Sequence, residues 1–457
     1  FGQMPKAQIM INPRLGFNWD VTGDESTQLR GGTGIFTSRL PLVWPGGAYT
    51  NNGFTIGGVY YKSSWGTDII FQPEIENQYT NADFGQTDPI PSGQIDVFDA
   101  NFKFPQVWRT NLAIDQKLPW NMIGTVEFLY TKTLNNVNYY NLNVSPDAAF
   151  NLTGADNRPY YDYTSLDSRV TRVIYGTNTN EGYAYNITAQ LQKPFDNGFT
   201  ANLAYTYGKS MVLNDGTSSQ NSSQWRYMEN VNGLNNLDLS YSDFDLGHRV
   251  LAYVSYRLEY ANHMASTFSL VYNGQSGSRY CYVYNDYGDL NGEGENAGNL
   301  IYIPASANEI KLIDNGDVTA AQQWEALDGF ISSDPYLDAN RGEYCERNAV
   351  HSPFENIMDF RFVQDFYINA GGKKHDLQLT FDIFNFTNLL NKDWGRRYYV
   401  AYGTYQLLKY TGMDEDGTTP TFQYTGPESV DDIFNIDDSG LTSSRWQGQI
   451  GVRYIFN

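Results

Sequence analysis

Along residues 445–457 polar and apolar positions alternate. Trp446, Gly448, Ile450, Val452, Tyr454 and Phe456 share one face, and Arg445, Gln447, Gln449, Gly451 and Arg453 share the other, with Ile455 as the exception. Period-two alternation predicts a β-strand. This one outlasts the usual five or six residues of a soluble strand and suits the roughly 9–11 residues that a tilted strand needs to cross a bilayer. Its apolar face begins with Trp446 and ends with Tyr454 and Phe456, as in a membrane barrel, where aromatic girdles mark the two interfaces.

The same pattern recurs through the chain. Strands are predicted over Pro13–Val21, Gln28–Phe36 (weaker and glycine-rich), Trp108–Leu118 and Thr125–Thr131. Further strands follow over Tyr183–Gln192, Phe199–Tyr207, His248–Leu258, Met264–Tyr272, Met358–Phe366 and Leu377–Ile383. With the last strand this gives about eleven, arranged as five hairpins and a closing strand. Short turns, among them the Asn197-Gly198 hairpin signal, alternate with long stretches without sustained period at 37–106, 135–181, 211–246, 276–354 and 387–444. Compact soluble domains rarely use such connections, whereas outer-membrane barrels pair short periplasmic turns with long extracellular loops. The expected fold is an all-β transmembrane antiparallel β-barrel with its C-terminus in the periplasm.

Charge sharpens this picture. The net charge is −21, which argues against nucleic acid as a partner, since phosphate binding needs a basic face. The acidity lies in the long stretches, while the hairpins are nearly neutral. Arg109, Arg249, Arg257, Arg361 and Arg453 fall on the polar, lumen-facing side of their strands, where they avoid the roughly 2–4 kcal/mol of an arginine facing lipid at the midplane.

An odd strand count is unusual for a single-chain bacterial barrel, and an open sheet would leave unpaired backbone groups in hydrocarbon. The eleven strands are therefore expected to be the C-terminal half of a 22-stranded wall whose other half lies upstream of Phe1. Barrels of that size are plugged outer-membrane transporters.

Several short motifs, in this order, resemble one transporter family. They are Ser242-Asp-Phe-Asp-Leu-Gly-His-Arg-Val250, Tyr272-Asn-Gly-Gln-Ser-Gly277, Asp289-Leu-Asn-Gly-Glu-Gly294 followed by Leu300-Ile-Tyr-Ile-Pro304, and Arg341-Gly342 and Glu346-Arg-Asn-Ala349 leading to Asp359-Phe-Arg-Phe-Val-Gln-Asp-Phe366. Phe381-Asp-Ile-Phe-Asn-Phe-Thr-Asn388 and the closing aromatic strand complete the set. From about Pro13 onward the chain resembles the barrel of TonB-dependent outer-membrane transporters of the Oar-like branch of Bacteroidota and related bacteria. The resemblance implies an N-terminal plug, a TonB-contacting segment and often a carboxypeptidase regulatory-like domain, all of them upstream of this chain. The family's usual terminal aromatic is here Phe456, followed by Asn457.

Two candidate sites stand out. Asp289, Asn291, Glu293 and Glu295 place oxygen ligands at alternate positions around Gly294, with Asp286 as a further ligand. This suits a calcium loop and equally an acidic, solvated loop tip. Cys281 and Cys345 lie near the two ends of the longest connection, above strands expected to be neighbours. A disulfide is the favoured reading there, and two free thiols the alternative. Loop aromatics such as Tyr49, Tyr60, Tyr61, Trp65, Tyr139, Tyr140, Tyr160, Tyr161 and Tyr163 suit either ligand stacking or loop packing.

An enzyme is not expected. The histidines His248, His263, His351 and His375 lack metal-ligand spacing, and no Gly-x-Ser-x-Gly occurs. The functional expectation is TonB-dependent transport of a bulky solute of peptide or glycan type. The alternative is a surface platform anchoring a partner protein complex, and a surface hydrolase is a lesser one.

Overall fold

The computed structural model describes residues 5–53, 70–84, 93–285, 289–295, 298–439 and 444–456. Eleven antiparallel strands follow one another in chain order across a single sheet. They are β1 (Arg14–Asp20), β2 (Thr27–Thr37), β3 (Gln106–Leu118), β4 (Met122–Asn141), β5 (Tyr183–Asp196), β6 (Phe199–Val212), β7 (Gly247–Tyr260), β8 (Met264–Gln275), β9 (Glu355–Ala370), β10 (Lys373–Phe384) and β11 (Gln447–Phe456). All eleven expected strands are present. Among the described residues β1 pairs only with β2, and β11 only with β10.

The alternation acts as anticipated. Leu15, Phe17, Leu112, Val126, Leu203, Phe268, Leu379 and Val452 stand exposed on one face of the wall. Such a belt is unfavourable in water and suits lipid. Among the described residues no helix is long and apolar enough to cross a membrane.

At the other end of the wall the short turns are built from left-handed residues: Trp120 and Asn121, Asn197 and Gly198, Ala261 and Asn262, and Gly371 and Gly372 all have positive φ. Two consecutive left-handed residues match the twist of a tight hairpin. Gly198 is needed twice over, because a Cβ there would lie 2.3 Å from the Arg257 carbonyl.

The long connections depart from expectation, because they fold. β4 continues for 20 residues to Asn141, well past the expected strand. Its upper part pairs with a strand at Arg172–Thr179, which also pairs with Gln94–Phe98. A separate four-stranded sheet joins Val350–His351, Arg279–Tyr284, Thr404–Met413 and Pro420–Gln423. A helix over Ala320–Ser333, capped reciprocally by Thr319 and Gln322, buries Leu327, Phe330 and Ile331 against this sheet. Two apolar clusters hold the connections together as a cap. One contains Tyr282, Val283, Leu290, Ile301, Leu408 and Phe422. The other contains Trp44, Tyr139, Ile174, Trp225 and Leu234. Cap strands pack on both faces, so their sequence shows no period-two signal.

Candidate functional site

The polar face of the wall is a ladder of paired charges. Arg30 donates to Asp115 at 2.9 Å and to Glu127 at 3.1 Å, and Thr125 donates to Asp115 at 2.6 Å. Farther along, Arg257 donates to Asp365 at 2.6 Å, and Gln378 donates to the same carboxylate at 2.9 Å. At the first place a small residue lies between the partners, because Ala113 is opposite both Arg30 and Glu127. A larger side chain would block the crossing. Arg109 donates to Thr131 and Arg249 to Asn273, on the face where sequence placed them. The lining can therefore face water without an unpaired buried charge.

Above this lining, the cap carries buried polar links that join connections far apart in sequence. The Arg158 guanidinium, fully buried, pairs with Asp156 at 2.8 Å and donates to the Leu300 carbonyl at 2.6 Å. It also lies 5.1 Å and 5.4 Å from the Tyr284 and Tyr344 ring centres. Arg347 donates to the carbonyls of Leu213 and Val212. Arg279 pairs with Asp245 at 2.6 Å where cap and wall meet, and burial there pulls the His351 pKa down. The Tyr282 hydroxyl donates to Asp334, which also caps the helix beginning at Pro335. Sequence reading missed these residues, since single arginines in aperiodic stretches carry no local signal of burial.

In the expected calcium loop the described side chains already have protein partners. Asp289 accepts from the backbone N–H groups of Glu293 and Gly294. Both Glu293 oxygens accept from the Leu234 N–H, and Glu295 pairs with Arg172 and Arg226. Asn291 donates to the Val231 carbonyl. Each carboxylate has its own protein donor, and among the described residues no acidic, histidine or cysteine cluster could hold a metal. Asp286 lies outside the described residues. The loop is an internal strut, and burial pushes the Glu293 carboxyl up to about 8, with Asp289 and Glu295 adding to the shift.

Cys281 and Cys345, expected as a disulfide, are free and buried in this structure. Ile301 touches both segments: its N–H donates to the Tyr282 carbonyl, and its own carbonyl accepts from the Cys345 N–H. Burial pushes the Cys345 thiol up to about 12. The described loop aromatics tend toward packing: Tyr139 is buried edge-on against Trp44, and Tyr160 stacks on Phe150 at 4.8 Å. Tyr60, Tyr61 and Trp65 lie outside the described residues.

With this wall, lining and cap in view, comparison with known proteins gives one decisive match. Residues 3–393 match the family model described as outer membrane beta barrel domain. The chain belongs to this family. No curated protein matches it. Similar solved structures include a mutant ferric enterobactin receptor of Pseudomonas aeruginosa, with a TM-score of 0.39 and 9% identity over 97% of this chain and 39% of that one. The outer membrane transporter YddB of Escherichia coli has a TM-score of 0.42 and 11% identity over 96% and 40%. The FrpB iron transporter of Neisseria meningitidis has a TM-score of 0.33 and 11% identity over 82% and 35%. The chain spans about two fifths of the length of these proteins.

Proposed function

We propose that this outer-membrane barrel domain is the C-terminal part of a plugged transporter of the Oar-like, TonB-dependent kind, which takes up a bulky peptide- or glycan-type solute. The observation that carries the reading is the pair of open edges. β1 and β11 each have one neighbour among the described residues, yet the faces between them are those of a complete wall, apolar outside and charge-paired within. An edge left open in hydrocarbon leaves backbone groups unsatisfied at several kcal/mol each, so further strands must close it. Eleven more would give a lumen wide enough to need a plug. In this reading the cap faces the outside over the mouth, the short turns and the C-terminus face the periplasm, and energy arrives through TonB from upstream parts.

The test uses cells that make the full-length protein. Deleting it and inactivating TonB should each stop depletion of the same peptides or glycans from the medium, followed by mass spectrometry. Depletion that continues in both strains would overturn transport. The second reading, a surface platform, is favoured by one feature, a cap folded around its own apolar core. A partner protein sealed into the lumen of every purified particle would establish it.

A further inference from the structure

The outer face of the wall carries a cation–aromatic band near the cap that solute uptake does not require. Register aligns Trp108, Lys132, Tyr183 and Met211 in one row across β3 to β6. One same-face step nearer the membrane centre lie Thr110, Tyr130, Tyr185 and Lys209. Strand alternation puts both rows on the face that carries Leu112, Phe128 and Leu203, all exposed. The rings touch in sequence: Trp108 meets Tyr130 edge-on at 6.0 Å, and Tyr185 meets Tyr207 at 6.2 Å. Such an aromatic band marks the depth where acyl chains end and headgroups begin.

The two lysines differ from Arg30 and Arg257 of the lumen. Arg30 and Arg257 are each paired with carboxylates, whereas neither Lys132 nor Lys209 has an ion pair among the described residues. The Lys209 ammonium lies 4.7 Å from the Tyr241 ring centre, which supplies no neutralising charge. Strand spacing and rise place the two lysine Cα atoms about 12 Å apart, and long aliphatic stems let both ammonium groups rise to headgroup level.

A second feature lies below them on the same strands. Gly124 and Ala189 floor a shallow apolar depression of about 450 Å³, walled by Ile114, Val126, Leu191 and Leu203. Val126 and Ala189 are in register, two same-face steps below Tyr130 and Tyr185. A molecule that fits both features has an anionic head with two separated charges and an acyl chain descending along the wall.

We propose that Lys132 and Lys209 bind the phosphates of a bis-phosphorylated glycolipid of the outer leaflet, one of whose acyl chains lies in the depression over Gly124 and Ala189. The span between the cations favours a head with two phosphates over a single phosphodiester. This rests on the cap facing outside, as in the proposed function.

The test is native mass spectrometry of the full-length protein in neutral detergent, offered lipid A, dephosphorylated lipid A, phosphatidylglycerol or inorganic phosphate. Lipid A should be retained, and both its dephosphorylated form and Lys132→Gln/Lys209→Gln should lower retention on the order of 10-fold. Lys132→Arg/Lys209→Arg should keep it, which separates loss of charge from misfolding, and Ala189→Leu should weaken it by filling the depression. Equal retention by the double Gln variant overturns the proposal, as does equal binding of inorganic phosphate. Preference for phosphatidylglycerol overturns it too and reverses the assumed orientation. Loss of solute uptake in cells would bear on transport alone.

Discussion

Arg30 on β2 and Glu127 on β4 meet at 3.1 Å across the strand between them, directly over Ala113. Ala113 is 2% exposed, so its methyl group is already covered by the crossing. Ala113→Leu should push the guanidinium aside and leave Glu127 without its partner, destabilising the wall by about 1–3 kcal/mol. Urea unfolding of the full-length protein in lipid vesicles measures this. Ala113→Gly should be far milder, and the contrast separates overpacking from loss of the methyl contact.

Val126 and Thr125 are consecutive on β4 but face opposite sides. Val126 belongs to the exposed apolar belt, while Thr125 donates to Asp115 in the lumen. Val126→Arg should destabilise the barrel by about 2–4 kcal/mol. Thr125→Arg, beside a carboxylate and on the wet side, should change it by less than about 1 kcal/mol. The same unfolding measurement reads both, and equal effects would contradict the assignment of faces.

Arg158 is the buried pin of the cap, held by Asp156 and two tyrosine rings. Arg158→Met leaves Asp156 buried without its cation and should weaken the cap by about 3–5 kcal/mol. The loss should appear as faster hydrogen exchange around Leu300 and Tyr344, with β7 to β10 unchanged. Adding Asp156→Leu should restore part of the protection, because removing both charges avoids the unpaired one.

Glu293 makes cap stability depend on pH. Its carboxyl is raised from 4.5 to about 8, chiefly by burial, so the folded cap keeps a proton that the unfolded chain releases. Stability should therefore be highest below about 4.5, fall as pH rises toward 8, and level off above that. Glu293→Gln retains an acceptor for the Leu234 N–H and carries no charge. It should raise the cap's melting temperature at pH 8 and leave it nearly unchanged near pH 4, read by differential scanning calorimetry. A wild-type cap equally stable at both pH values would refute the assignment.

How much of this was legible in the sequence divides at the edge of the bilayer. The strand from Gln447 to Phe456 shows why: in a wall with lipid on one side and water on the other, every second residue must be apolar, so the chain itself declares the strand, its length and its faces. The same rule identified all eleven wall strands and the side on which Arg109 and Arg257 would point. In the cap the constraint disappears, because strands such as Arg279–Tyr284 are buried on both faces and carry no alternation that would mark them as strands. Spacing suggested a cation loop at Asp289–Glu295 and a bond between Cys281 and Cys345. Which donors reach those carboxylates, and that both thiols are buried, depends on contacts between residues far apart in the chain. Only the tertiary structure could decide them.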